Sequence, residues 1–277
     1  MRINHNIASM VAQGSLFMVN RDNNKVLEKL STGLRINRAS DDAAGLSVSE
    51  NLRTQVRGMG MAKRNAQDGI SALQIAEGAL NEISDILQRM RELSVQSAND
   101  TLTSTERAYT NQEFDAIRSE IQRIVDATQY NTQTLLDGTG FGGSGGTYLH
   151  IGANDGTADE IAITIDPVDT ASLAIDGLDV TAQTAATDAI SALDFAINTV
   201  NTVRSNIGAY VNRLDHTINN LINGEHNMQG AESVIRDTDF AQETAMFTRS
   251  QILMQSATAM LAQANMVPQS VLGLLGR

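Results

Sequence analysis

The residues of this chain that could perform chemistry are few, and their spacing is wrong for catalysis. Asp41-Asp42 and the acids around Asp237-Asp239 are candidate acid pairs or metal ligands, but each sits where a helix N-terminal cap or a solvated turn needs a carboxylate. His5, His150, His216 and His226 are scattered, with no HExxH and no i,i+4 pair to hold zinc. Gly138-Thr139-Gly140-Phe141-Gly142-Gly143 matches GxGxxG in form. It follows a helical pattern and leads into a strand pattern, the reverse of the context that cradles a dinucleotide. GxSxG and P-loop patterns are absent, and the Met residues fall at helical seam spacing, where packing is their ordinary role. Asn99-Asp100-Thr101 forms a glycosylation triplet of a kind common by chance. These residues predict no enzyme, no cofactor and no metal.

What the sequence does carry is periodicity. Ile190, Leu193, Ile197, Val200, Ile207, Val211, Leu214, Ile218 and Leu221 follow 3-4 spacing, with Arg204 at the one missed position. This predicts a continuous helix of roughly 35 residues from about Thr184 onward. Leu73, Ala76, Leu80, Ile83, Leu87 and Met90 form a matching stripe, and Phe114, Ile117, Ile121 and Ile124 another. Asn99 to Thr105 separates these two, with Ser104 or Thr105 as the expected N-cap before Glu106. The first helical arm is expected to reach about Leu136. The Gly-rich run to Thr147 then breaks the pattern, and Tyr148–Ile151 with Ile161–Ile165 reads as a β-hairpin. The fold class is mainly α: long antiparallel helices with a coiled coil formed by the N- and C-terminal arms, and a small β-hairpin region in the middle.

The two ends are unusual. Between Ala241 and Arg277 only Glu243, Arg249 and Arg277 are charged. Met246, Leu253, Ala257, Met260, Ala264, Val267, Val271 and Leu274 keep 3-4 spacing, interrupted by Ser250. Ile3, Ile7, Met10, Gly14 and Phe17, then Leu27, Leu30 and Leu34, do the same at the start. Chain ends are ordinarily polar and dispensable; these are built for burial. Ordering about 70 such residues costs on the order of 100 kcal/mol. A single two-helix seam does not offset that, so the ends are expected to fold only against further copies of themselves.

Composition supports a structural role. There is no Cys and no Trp, and aromatic residues make up 4% of 277 residues, little for a globular enzyme core but enough for helices packed along narrow seams. A formal charge of −12 argues against nucleic acid as a partner. No apolar run is long enough for membrane insertion, and the polar residues Asn4, His5, Asn6 and Ser9 interrupt any signal-peptide core. On these rules alone the default location is cytoplasmic.

Several long segments resemble bacterial flagellins. KLSTGLRINRASDDAAGLSVSENLR (29–53), NAQDGISALQIAEGALNEISDILQRMRELSVQSAND (65–100), QYNTQTLLDG (129–138), YLHIGANDG (148–156), AINTVNTVRSNIGAYVNRLDHTINNL (196–221) and SQILMQSATAMLAQANMVPQSVLGLLGR (250–277) are similar to family segments in family order. The resemblance covers roughly residues 1–165 and 186–277. It implies a subunit that polymerises into the flagellar filament, with an inner coiled-coil domain of residues 1–40 and 240–277. It further implies a helical rod of 41–140 and 186–239, and a small hairpin and connection at 141–185 with no large outer domain. Ile3, Ile7, Met10, Phe17, Leu27, Leu30, Leu253, Met260, Val267, Val271 and Leu274 are the implied polymerisation residues.

The same resemblance replaces the cytoplasmic default with an extracellular filament, reached by unfolded export through the flagellar type III system without a cleaved signal peptide. Implied partners are the chain itself, an export chaperone at Met246–Leu275, and the filament cap and hook–filament junction proteins. An animal Toll-like flagellin receptor is implied at the QRxREL motif, here Gln88, Arg89, Arg91, Glu92 and Leu93, with Glu113 on the next helix; Arg89→Ala or Leu93→Asp is expected to weaken that contact. Arg2 and Gly276 depart from the family pattern without touching these motifs. A junction protein, a flagellin with an enzymatic middle segment and a membrane-binding amphipathic module are the competing readings. The complete QRMRELSVQSAND and LAQANMVPQSVLGLLGR segments, the short middle and the low basic content disfavour them in turn.

Overall fold

The computed structural model describes the backbone of residues 5–143 and 145–275, and side chains through residue 266. Among the described residues five α-helices run in order: α1 (Ile7–Thr32), α2 (Ala43–Ser97), α3 (Ser104–Ala127), α4 (Gln183–Arg236) and α5 (Phe240–Leu275). Between α3 and α4 lie two small antiparallel pairs, β1 (Gln129–Tyr130) with β2 (Gln133–Thr134) and β3 (Thr147–His150) with β4 (Glu160–Ile163). The chain divides into two compact units, residues 1–54 with 227–277, and residues 55–226.

The continuous unit owns the core. Leu73, Ala76, Leu80, Ile83, Leu87 and Met90 of α2 are fully buried, as the 3-4 stripe predicts. Phe114, Ile121 and Val125 of α3 meet them. On α4 the buried line is Ala186, Ala189, Leu193, Ala196, Val200, Val203, Ile207 and Leu214. It runs along one flank of the predicted stripe, with small Ala side chains at 186, 189 and 196 in the seam while Ile190 and Ile197 sit half-buried beside it. Ion pairs fix the helix directions: Lys63 Nζ lies 3.0 Å from Glu225 and Arg91 Nε 2.6 Å from Asp194, so α2 and α4 are antiparallel. Arg89 reaches Glu113 while Arg107 bonds the Ser97 carbonyl, so α3 returns antiparallel to α2.

The α2–α3 turn is closed by Thr103, one residue before the expected cap. The Glu106 N–H donates to its hydroxyl and the Glu106 carboxylate accepts from its N–H at 2.7 Å, a reciprocal capping box. The first arm ends at Ala127 and not near Leu136. Asn131 and Thr132 adopt positive φ, 48° and 66°, and turn the chain back through β1 and β2. The hairpin itself pairs Thr147–His150 with Glu160–Ile163, Tyr148 opposite Ala162 and Leu149 opposite Ile161. The segment beyond it contributes Ile165, Val168, Leu173, Ile175 and Val180 to the same core.

The GxGxxG look-alike is a packing turn. Asp137 accepts from the Thr139 hydroxyl at 2.6 Å and from the Thr139 and Gly140 N–H groups. Gly140 is required because a Cβ there would lie 2.2 Å from the Thr134 carbonyl oxygen. The turn drives Phe141 into the core. Burial alone raises the Asp137 carboxyl, but hydrogen bonds from Thr139, Thr134 and Gly140 outweigh it and hold the group at about 2. A carboxyl depressed in the folded state stabilises fully above its unfolded pKa, about 3.9, and loses that contribution as pH falls toward 2. Asp137→Asn is therefore expected to cost about 1–2 kcal/mol at neutral pH. The gap between variant and parent melting temperatures should narrow as pH falls from 4 to 2; an unchanged gap would refute the assignment.

The discontinuous unit is built differently. α1 and α5 lie antiparallel, with Lys29 Nζ 3.3 Å from Glu243 Oε1, the Asn6 amide donating to the Ala264 carbonyl, and the Ser9 hydroxyl donating to Asn265. Gly33 closes α1 at φ 72°, a conformation a side chain would strain. The two inter-helix turns then pair: Arg35 N–H donates to the Arg236 carbonyl at 2.6 Å, and Thr238 N–H donates to the Gly33 carbonyl at 3.0 Å. Ile36 is buried below this bridge. The suspected acid pairs are caps and turns. Asp42 accepts from Gly45 N–H, Asp41 from Arg38 N–H, and Asp239 from Ala241 N–H at the start of α5.

Candidate functional site

Among the described residues, most of the exposed large apolar side chains lie on α1 and α5. Each helix carries two apolar stripes. The stripe turned toward the partner helix is Ser9, Ala12, Leu16, Val19, Asn23, Val26 and Leu30 on α1, against Glu243, Phe247, Ser250, Met254, Ala257, Leu261 and Ala264 on α5. Only Asn23, Val26 and Glu243 of these are buried, so the pair covers little surface by itself.

The second stripe faces away. Phe17 is 70% exposed, Met10 and Met260 65%, Ile7 58%, and Leu27 and Leu253 44%. Where the outward stripe meets the edge of the seam, a groove of about 610 Å³ is lined by Ile7, Val11 and Ser15 of α1 and by Ala257 and Met260 of α5. A soluble monomer rarely leaves so continuous an apolar face uncovered. Of the polymerisation residues named from the sequence, Ile7, Met10, Phe17, Leu27, Leu253 and Met260 gather on these outward faces, whereas Leu30 belongs to the inward seam. Ile3 lies outside the described residues, as do the side chains of Val267, Val271 and Leu274. Val11, Met18, Ile252 and Met266 widen the outward face and were not singled out. Their signal was apolar character one position beside the stripe.

The second set of sequence-named residues splits around α2. Gln88, Arg89, Arg91 and Glu92 are exposed. Arg89 donates to Glu113 from Nε and Nη2, at 3.0 and 2.8 Å, and to Glu92 at 3.1 Å. Hydrogen bonds from Arg89 to Glu113 and Glu92 raise its pKa above the ordinary arginine value. Arg91 points to the other flank and pairs with Asp194, which raises it likewise. Leu93 does not share the exposed face: it is 2% exposed, in the core beside Met90.

Among the described residues there is no cluster of three metal-binding side chains and no helix long and apolar enough to cross a membrane. Long helices with uncovered apolar stripes define a class, the self-associating helical structural subunit. Comparison with known proteins gives the rest. Residues 3–140 match the bacterial flagellin N-terminal helical region and residues 190–275 the C-terminal helical region. The chain is 50% identical to the flagellin of Halalkalibacterium halodurans over 275 residues, covering 99% of this chain and 100% of that one. It is 44% identical to Bacillus subtilis flagellin, again covering 99% and 100%. The crystal structure of Bacillus cereus flagellin superposes with a TM-score of 0.51 at 32% identity, covering 57% of this chain and 88% of that one. A putative flagellar hook-associated protein from Vibrio parahaemolyticus shares the fold at 18% identity and TM-score 0.57, covering 71% and 99%.

The chain belongs to the bacterial flagellin family. It is a short flagellin without a large outer domain, a structural subunit of the extracellular flagellar filament that self-polymerises, and not an enzyme.

Proposed function

We propose that the outward stripes of α1 and α5 carry the polymerisation, with Ile7, Met10, Phe17, Leu27, Leu253 and Met260 buried against neighbouring copies. The observation that supports this is the exposure of large apolar side chains along both helices. Leu30 acts within the subunit; Ile3, Val267, Val271 and Leu274 belong to the same polymerisation set by sequence, outside the described side chains. Residues 1–40 and 240–277 form the inner domain of the subunit. Residues 41–140 and 186–239 form its rod, to which 141–185 adds the hairpin and connection. Because α1 and α5 bury little between themselves, their ordering is coupled to assembly.

Before assembly such a chain is suited to unfolded passage through the flagellar type III channel. Its apolar C-terminal segment, Met246–Leu275, is the contact for an export chaperone. The filament cap and the hook–filament junction proteins meet the same terminal surfaces at the two filament ends. In a host, the Arg89–Glu113–Glu92 cluster with Gln88 and Arg91 is the contact for a Toll-like receptor, and Leu93 supports that surface from beneath.

The test is electron microscopy of seeded growth by the full chain beside a version lacking residues 241–277. Filaments from the full chain and none from the truncation are expected. Growth by both would refute assembly through the terminal helices.

A further inference from the structure

The outward apolar faces hold a chemical feature that their packing role does not need. The chain has eleven methionines and no cysteine, so thioethers are its only sulfur. Five of them, Met10, Met18, Met246, Met260 and Met266, stand exposed on α1 and α5. Met90, by contrast, is wholly buried in the core of the continuous unit. Leu or Ile would fill an interface as well, and neither is oxidised under mild conditions. Thioethers are oxidised by peroxides, and exposure decides which react first.

We propose that these five methionines are a peroxide-sensitive modification site that switches the subunit between assembly-competent and assembly-incompetent forms. The inference rests on the reading that the outward stripes become buried between copies. The reaction balances with hydrogen peroxide alone. The sulfur lone pair attacks one peroxide oxygen, the O–O bond breaks and an S–O bond forms. The sulfur is oxidised by two electrons, and the second oxygen leaves as water with both protons. The product sulfoxide is polar and a strong hydrogen-bond acceptor. Burying it in an apolar contact leaves that acceptor without a partner. The methionines are open to oxidant in the free subunit and covered once a neighbour docks, so modification falls on the unassembled pool. Reduction of the sulfoxide by methionine sulfoxide reductases with a thiol reductant returns the thioether.

The test treats purified full-length subunit with hydrogen peroxide, maps sulfoxides by peptide mass spectrometry, and measures seeded elongation before and after reductase treatment. Sulfoxide is expected at the five exposed positions and not at Met90, elongation should fall at least tenfold, and the reductases should restore it. Preformed filaments given the same dose should resist at these positions. Met61→Leu, which removes an exposed methionine of the other unit, should retain the full sensitivity. Leucine at all five positions, scored against its own untreated sample, should lose it. Normal elongation by subunits oxidised at the five positions would overturn the proposal, as would loss that reduction does not reverse. The assembly reading fails separately, if the chain lacking residues 241–277 still elongates.

Discussion

Phe17→Asp is expected to leave the thermal transition of the free subunit unchanged and to lower seeded elongation by about a thousandfold. The ring is 70% exposed, so the isolated chain draws almost no stability from it. Between copies the reckoning changes. Covering a Phe side chain is worth about 1.5–3 kcal/mol, and placing a carboxylate in the same apolar contact costs several kcal/mol more. A loss of about 4 kcal/mol corresponds to roughly three orders of magnitude in association. Val26→Asp is the informative companion, because Val26 is buried in the seam between α1 and α5. That change should disturb helix pairing within the subunit as well as growth. Circular dichroism melts with an elongation assay separate the two, and normal growth by Phe17→Asp would remove this face from the interface.

Leu93→Asp should destabilise the continuous unit by at least about 4 kcal/mol, a buried charge without a partner being among the costliest single changes. Arg89→Ala should shift the melting temperature little, since its ion pairs with Glu113 and Glu92 are exposed. Both variants are expected to reduce activation of a Toll-like receptor in reporter cells, for different reasons. Leu93→Asp loses the surface because the helices beneath it come apart, whereas Arg89→Ala loses a contact on an intact helix. A Leu93→Asp chain that melts like the parent would contradict the burial of this side chain. An Arg89→Ala chain with undiminished signalling would remove the Arg89 cluster from recognition.

The pattern of residues foretells much of this architecture. The α2 stripe from Leu73 to Met90 is legible because large aliphatic side chains repeat at 3-4 spacing and all are buried. The hairpin is legible from alternation and turn residues. The α4 seam is harder to place, since Ala186, Ala189 and Ala196 carry much of it and alanine gives a weak hydrophobic signal. The end of α3 at Ala127 is hidden because Asn131 and Thr132 take positive φ without a glycine to mark the turn.

The candidate surfaces pose a different difficulty. α1 is apolar on two sides, and periodicity alone does not say which stripe serves its own chain. That choice depends on α5, more than 200 residues later in sequence. The QRMREL run, by contrast, carries the sign itself: Leu93 lies three residues beyond Met90 on the buried stripe, while Gln88, Arg89, Arg91 and Glu92 fall off it.

The bridge that ties Gly33 and Arg35 to Thr238 and Arg236 joins the two far reaches of the chain, whereas residues 55–226 form an uninterrupted unit. Contacts of such long sequence separation form slowly and last, after local helices have already condensed. A chain cut short before α5 has nothing to close the bridge with and no α5 to lay against α1. On the proposed assembly through α1 and α5, completeness is checked by topology: only a molecule that possesses both helices presents the paired faces, and fragments are left out of the lattice without any separate proofreading step.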